Sequence, residues 1–234
     1  MSNALESAVP VACWSCHVSQ NDLTLFCSHC SKIQPAASGD YFHVFGLMRS
    51  FQIDLESLER EFHRLSRKLH PDRFARASEQ EREWSLADTA LLNDAYRTLK
   101  DPLLRTEYLL KLEGAEIGEQ HAGKNRREGV GDPSRVPPDL LEEVFELNMQ
   151  LEEMRATKKM GETDAEVQAD LERAKAKFDG LVAEVDRDLH HQWQVWDAGD
   201  AAAREASKTS MVALLDRRRY LSNLVRDVTE TLGA

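Results

Sequence analysis

The chain has 234 residues, 30 Lys and Arg against 41 Asp and Glu, for a formal net charge of −11. That length can bury one core or two, and abundant charge with few glycines, few prolines and almost no β-branched runs indicates a mostly helical fold. The acidic balance argues against a general binder of nucleic acid or of anionic membranes, no apolar stretch approaches a membrane span, and the first twelve residues lack the features of a signal or transit peptide.

All four cysteines fall between positions 13 and 30, in "CWSCHVSQNDLTLFCSHC". A secreted disulfide scaffold would spread them out, so the clustering points to a reducing compartment and one local site. Cys13, Cys16, Cys27 and Cys30 form C-x2-C-x10-C-x2-C. Two such turns can present four thiolates to one ion, the closed tetrahedral shell of structural zinc. Between them, Asn21-Asp22 signals a turn before a short apolar stretch, consistent with a small hairpin that metal binding would have to fold. A redox pair would need only one C-x-x-C, usually in a βαβ context that is absent here. A nucleic-acid ribbon would carry exposed cations, whereas Lys32 follows the module alone. His17 and His29 each adjoin a cysteine and read as bystanders.

After a short linker at Pro35–Asp40, Asp54 is expected to cap a helix in which Leu55, Leu58, Phe62, Leu65 and Leu69 form an apolar stripe. Arg60, Arg64, Arg67 and Lys68 occupy another face. Pro71 disfavours helical backbone at His70, so this helix should stop near Leu69. Ser78 and Glu81 form a capping box that opens the next helix, with Trp84, Ala87, Leu91, Ala95 and Leu99 expected as its inner side. Asp101-Pro102 restarts a helix that Gly114 ends. The result is an antiparallel helix pair with His70, Pro71 and Asp72 exposed at its end.

His-Pro-Asp between a basic amphipathic helix and a second helix, with "YFHVFGL" before and "LLNDAYRTLKDPLLRTEYLL" after, resembles a J-domain, the module that activates DnaK-class heat-shock ATPases. The resemblance implies that His70 and Asp72 engage the ATPase, with Pro71 fixing the turn, and that Arg60, Arg64, Arg67 and Lys68 dock its acidic surface. Taken alone, the turn could equally be a helix stop with Asp as a turn former.

Ala115–Pro138 is polar, with clustered Gly and Pro, and reads as a connector. Three helices follow, expected to open at Asp139, at Thr163 with Glu166 as a capping box, and after the turn around Gly199; short connections favour an antiparallel three-helix bundle. Its core stripes are Leu140, Val144, Leu147, Leu151 and Met154, then Val167, Leu171, Ala174, Phe178, Leu181, Val185 and Leu189, then Leu214, Leu221, Leu224, Val228 and Leu232. Gly180 inside the second helix implies local flexibility or close packing. Leu141, Phe145 and Met149 make a second line on the first helix, rotated about 100° from the core stripe. By periodicity alone that line is either wide core or an exposed patch.

A J-domain followed by a three-helix bundle, with "DPLLRTEYLLKLEG" leading into the connector, is similar to the HscB family of iron–sulfur co-chaperones. That resemblance implies an apolar patch offered to a cluster scaffold of IscU type, here Leu141, Phe145 and Met149 with Glu146 and Glu153 on the same helix and Tyr220 from the last helix. The cysteine module resembles the extended, metal-binding members. Two departures stand out: a longer, more Gly-rich and basic connector, and Met149 where relatives commonly carry a charge.

The expected architecture is therefore all-α: a tetracysteine zinc module (1–38), a J-domain with an antiparallel helical hairpin (39–114), a connector (115–138) and a C-terminal three-helix bundle (139–234). The expected partners are a DnaK/HscA-class chaperone and an IscU-type scaffold. Neither nucleic acid nor membrane is expected as a partner, and no nucleotide is bound by this chain; a homodimer is left open. The compartment would be the bacterial cytoplasm, or the mitochondrial matrix for a processed eukaryotic form. Two rival readings are a general J-protein that holds unfolded clients and a thiol- or metal-exchange protein.

Overall fold

Side-chain caps set most of the helix starts, and the caps fall where short polar residues precede apolar periodicity. The computed structural model describes residues 11–20, 24–35, 40–117, 137–160 and 164–233. The turn expected at Asn21-Asp22, most of the linker after Pro35, most of the connector and Thr163 lie outside the described residues. The chain divides into two compact units, Met1–Leu112 and Glu113–Ala234.

The first unit begins with a two-residue antiparallel pair, Val11–Ala12 (β1) and Ser19–Gln20 (β2). It brackets the first C-x2-C, and a single bridge between Phe26 and Ile33 brackets the second. The hairpins observed here are thus wrapped around each cysteine pair. A short helix, Tyr41–Val44 (α1), follows and is capped by Asp40.

Asp54 caps the helix Leu55–Leu69 (α2) by accepting from the amides of Glu56 and Ser57. Ser78 and Glu81 close a complete capping box on Glu79–Lys100 (α3). Asp101 accepts from the amides of Leu103 and Leu104 at the start of Pro102–Leu112 (α4). The antiparallel register of α2 and α3 is fixed by two contacts. Ser85 Oγ donates to the Leu69 carbonyl at 2.6 Å, and Phe62 stacks on Tyr96 with centroids 4.1 Å apart. Leu58, Leu65, Leu69, Leu92, Ala95, Leu99 and Leu109 are buried together with Phe42 and Phe51. Arg105, itself buried, donates to the carbonyls of Phe51 and Leu99, so this cation in "LLRTEYLL" joins α4 to the preceding elements.

Two stripes differ from the sequence expectation. Leu55 lies at the capped first turn of α2 and is exposed. On α3 the inner line runs through Ser85, Asp88, Leu92, Ala95 and Leu99, leaving Ala87 exposed and Trp84 and Leu91 half-buried. Polar Ser85 belongs inside because its hydroxyl satisfies a carbonyl that the end of α2 leaves open.

Asp88 is fully buried, and among the described residues its carboxylate has no hydrogen-bond partner. Burial pushes its pKa from the ordinary 3.8 up to about 7. The folded state therefore holds a proton that the unfolded chain releases, and stability falls as pH rises between those two values. Asp88→Asn should remove this slope and gain on the order of 3 kcal/mol at pH 8, with little change near pH 4. Thermal melts at the two pH values check it; parallel slopes in both proteins would acquit Asp88.

In the second unit three helices, Leu141–Lys159 (α5), Ala165–Ala198 (α6) and Ala201–Leu232 (α7), pack as a bundle. All five residues expected as the first core stripe, Leu140 just before α5 and Val144, Leu147, Leu151 and Met154 on it, are buried. On α7 the inner line passes through Leu215 in place of Leu214, joined by Met211 and Ser207. The expected cap at Asp139 is corrected: a 3-10 turn, Pro138–Leu140, leads into α5, and Asp139 instead receives both Arg217 nitrogens, at 3.0 and 2.7 Å. Asp164, in place of Thr163, caps α6 through the amides of Glu166 and Val167. Asp200 caps α7, as the turn around Gly199 suggested. At Gly199 a Cβ would lie 2.5 Å from the Val195 carbonyl oxygen, so this turn requires glycine. Gly180 is exposed with open space where its Cβ would sit, which excludes close packing there. Contacts of Asp139 with Arg217 and of Lys158 with the Thr231 carbonyl show α5 and α7 running parallel.

Candidate metal centre and partner-binding faces

The two cysteine turns are built alike. Cys13 N donates to the Val18 carbonyl and His17 N to the Cys13 carbonyl; Cys27 N donates to Lys32 and Ser31 N to Cys27 in the same pattern. The residue after each C-x2-C takes left-handed backbone, His17 at φ 60° and Ser31 at φ 58°. This reverses the chain so that both thiols of a pair point to one place. Cys13 Sγ lies 3.6 Å from Cys30 Sγ and Cys16 Sγ 3.7 Å from Cys27 Sγ, and all four sulfurs fall within 4.8 Å. Sulfurs on a tetrahedral ion with bonds of about 2.3 Å would be separated by about 3.8 Å, whereas a disulfide needs about 2.0 Å. The residues fit a bound metal ion, and Cys13, Cys16, Cys27 and Cys30 would hold it.

Polar neighbours complete the setting. The amides of Ser15 and His29 approach Cys13 Sγ and Cys27 Sγ at 3.4 Å, and buried Gln34 approaches Cys13 Sγ at 3.5 Å. Burial alone would raise the Cys13 thiol, but amides of Cys16 and Ser15 and the thiols of Cys16 and Cys30 outweigh it and hold it at about 6. For Cys16 the Val18 amide pulls downward, yet burial and the other three thiols prevail and push it up to about 12. The Cys13 thiolate is favoured and that of Cys16 is opposed, so ionising both calls for a cation at the centre.

The His70-Pro71-Asp72 turn sits between α2 and α3. His70 is extended (φ −52°, ψ 127°), as the following proline requires, and Pro71–Phe74 form one 3-10 turn. His70 Nδ1 accepts from the Asp72 amide at 3.3 Å and lies 3.5 Å from Asp72 Oδ2. Asp72 is otherwise in solvent, its side chain 90% exposed. Arg60, Arg64, Arg67 and Lys68 are exposed on α2, although three are engaged. Arg60 pairs with Glu56, Arg64 with Glu61, and Lys68 lies over the Phe26 ring at 5.6 Å. Surface pairs of this kind are worth a few tenths of a kcal/mol and exchange readily for a partner's charges.

One aspect escaped the sequence reading. The cysteine module packs on the helix pair, through Lys32 to Glu81 at 2.8 Å and Trp14 edge-to-face on Trp84 at 5.6 Å. The signal was present in the unpartnered Lys32 and in a tryptophan inside a C-x2-C. Hydrogen bonding to Lys32 holds the Glu81 carboxyl below its ordinary range.

On α5 the second apolar line is exposed: Leu141 48%, Phe145 68% and Met149 59%. Glu146 and Glu153 are exposed on the same helix. Tyr220 is half-buried on α7, one turn beyond the Arg217 pairing with Asp139 and hence near the level of Leu141. Its hydroxyl is buried and, among the described residues, without a hydrogen-bond partner, which raises its pKa.

No family model matches the chain. Curated relatives do. The iron-sulfur cluster co-chaperone protein HscB of Mus musculus is 35% identical over 170 residues, covering 71% of this chain and 68% of that protein. A co-chaperone protein HscB homolog of Vibrio cholerae is 36% identical over 179 residues, covering 75% of this chain and 92% of that protein. An Arabidopsis thaliana homolog is 33% identical, with the match spanning 61% of its length. Among solved structures, human co-chaperone protein HscB aligns with a TM-score of 0.61 at 25% identity, covering 94% of this chain and 98% of that one. Chaperone HscB from Vibrio cholerae gives 0.50 at 28% identity, covering 82% and 96%. With a J-domain helix pair, a four-cysteine centre and a three-helix bundle in one chain, and relatives matched at this identity over most of its length, this chain belongs to the HscB family of iron–sulfur cluster co-chaperones.

Proposed function

We propose that this chain binds a cluster scaffold of IscU type through its C-terminal bundle and presents it to a DnaK/HscA-class chaperone, whose ATPase its J-domain stimulates. The observation that carries the reading is the double stripe of α5. Five inner residues are buried, and three large apolar ones remain in water beside carboxylates. A helix keeps such a line exposed when another protein covers it. The chain activates hydrolysis in its partner and needs no reacting group or nucleotide of its own. His70, Pro71 and Asp72 trigger the ATPase, and Arg60, Arg64, Arg67 and Lys68 dock its acidic surface, steering encounter in a salt-dependent way. Leu141, Phe145, Glu146, Met149, Glu153 and Tyr220 meet the scaffold. The four thiolates hold structural zinc, whose preferred shell they match. The domains divide at 1–38, 39–114, 115–138 and 139–234.

Phe145→Ala should weaken binding of the folded scaffold by about 10- to 100-fold, the effect of removing one well-buried aromatic anchor from an interface. Because Phe145 is exposed in the free chain, thermal stability should not change. Calorimetric titration checks the affinity. Unchanged affinity would place the client site elsewhere, and a preference for denatured polypeptides over the folded scaffold would favour a general J-protein.

A further inference from the structure

The cysteine module touches the helix pair on both flanks of the His70-Pro71-Asp72 turn. On the incoming side, Phe26 lies beneath the ammonium of Lys68, two residues before the turn. On the outgoing side, Lys32 binds Glu81, whose other carboxylate oxygen accepts from the amide and hydroxyl of Ser78 at 3.2 and 2.9 Å. One carboxylate therefore starts α3 and anchors the module. Trp14 strengthens that flank: its indole donates to the Ile33 carbonyl at 2.7 Å, its ring meets Trp84, and Lys32 lies over it at 5.9 Å. These residues sit within or next to the two cysteine turns, so the order of the turns decides whether Phe26 and Lys32 are held in place.

Between module and helix pair runs a cleft of about 770 Å³. Its lining includes Phe26, Ser28 and Ser31 from the module and Arg64, Lys68 and Arg73 from the helix pair and turn. Glu61, paired with Arg64, is the one carboxylate among the lining residues, beside the three cations Arg64, Lys68 and Arg73. It opens on the cations to which the proposed function assigns ATPase docking. A partner that meets Arg64 and Lys68 also meets the Phe26–Ser31 rim.

We propose that the tetracysteine module forms a second wall of the ATPase-docking face, positioning Lys68 and the start of α3 on either side of the His70-Pro71-Asp72 turn for an acidic surface of the heat-shock ATPase. This rests on the J-domain reading above. Phe26 and Lys32 are positioning residues: they fix where the docking cations and the turn stand. Order in the module lowers the entropy lost when the partner binds and keeps the docking cations in place.

The test uses the full zinc-loaded chain and its purified HscA-class ATPase, comparing wild type, the Phe26→Ala/Lys32→Ala double variant, Lys32→Arg and Asp72→Asn. The double variant should keep its metal, its scaffold affinity and the maximal stimulated rate, but require about tenfold more protein for half-maximal stimulation. Hydrogen exchange at residues 70–81 should quicken in the double variant, and Lys32→Arg, which keeps the cation, should retain most of the wild-type behaviour. An unchanged half-maximal concentration in the double variant, with Asp72→Asn inactive, would overturn the second wall and leave the proposed function standing. Normal stimulation by Asp72→Asn would remove the proposed function and the second wall with it.

Discussion

Replacing Asp72 with Asn should reduce stimulation of the heat-shock ATPase to its unstimulated rate, with fold, metal content and scaffold affinity unchanged. The expectation follows from the way the turn is made. Pro71 fixes the backbone, Arg73 N donates to the His70 carbonyl, and Ser85 ties the end of α2 to α3. Those bonds hold the turn without the Asp72 carboxylate, which faces solvent apart from a 3.5 Å approach to His70. Such an exposed pair contributes little to stability. Asn keeps the shape and removes the charge. A partner that reads the charge loses its contact, whereas a carboxylate serving only as a turn former would be replaced by Asn at almost no cost. Steady-state hydrolysis at saturating co-chaperone, alongside a thermal melt, separates the two. Full stimulation by a well-folded Asp72→Asn chain would exclude the trigger role.

The other large effect is expected at the metal centre. The module has Leu25 and Ile33 as its main buried apolar residues besides cysteine, too few to hold a fold of this size. Zinc binding to such peptides contributes about 10–16 kcal/mol near neutral pH, so a bound ion would supply most of the module's stability. The chain should carry one equivalent of zinc with all four thiols unreactive toward a disulfide reagent. Strong chelation, or Cys27→Ser, should expose the remaining thiols and free Trp14 from Trp84, read as a change in tryptophan emission. The melting of the bundle should stay the same. Thiols that react and turn over a disulfide substrate while metal remains bound would instead favour the thiol-exchange reading.

Local chemistry made much of this molecule legible in its sequence. Asp54, Ser78 and Asp101 announced helix starts because capping is a short-range property, satisfied within three residues. The four cysteines announced their site because metal geometry fixes spacing. Where the reading slipped, tertiary contacts had decided the matter. Asp139 resembled a cap until α7 brought Arg217 to it. The inner line of α3 shifted because Ser85 answers a carbonyl on a different helix, which no periodicity can show. Periodicity also left open whether Leu141, Phe145 and Met149 were wide core or surface; that depended on how closely the other two helices approach α5. Docking of the module through Lys32, Trp14 and Phe26 joins segments roughly 40 to 70 residues apart, beyond the reach of any local pattern.

The central claim is that one chain couples a scaffold held on its bundle to an ATPase triggered by its J-domain. Single-turnover hydrolysis by the HscA-class ATPase tests it most directly, with scaffold alone, with this chain alone and with both. The account predicts a rate with both that exceeds the sum of the separate increments. Phe145→Ala should lose that excess alone, and Asp72→Asn should lose all stimulation due to this chain. A rate with both present that merely equals the sum would contradict the coupling.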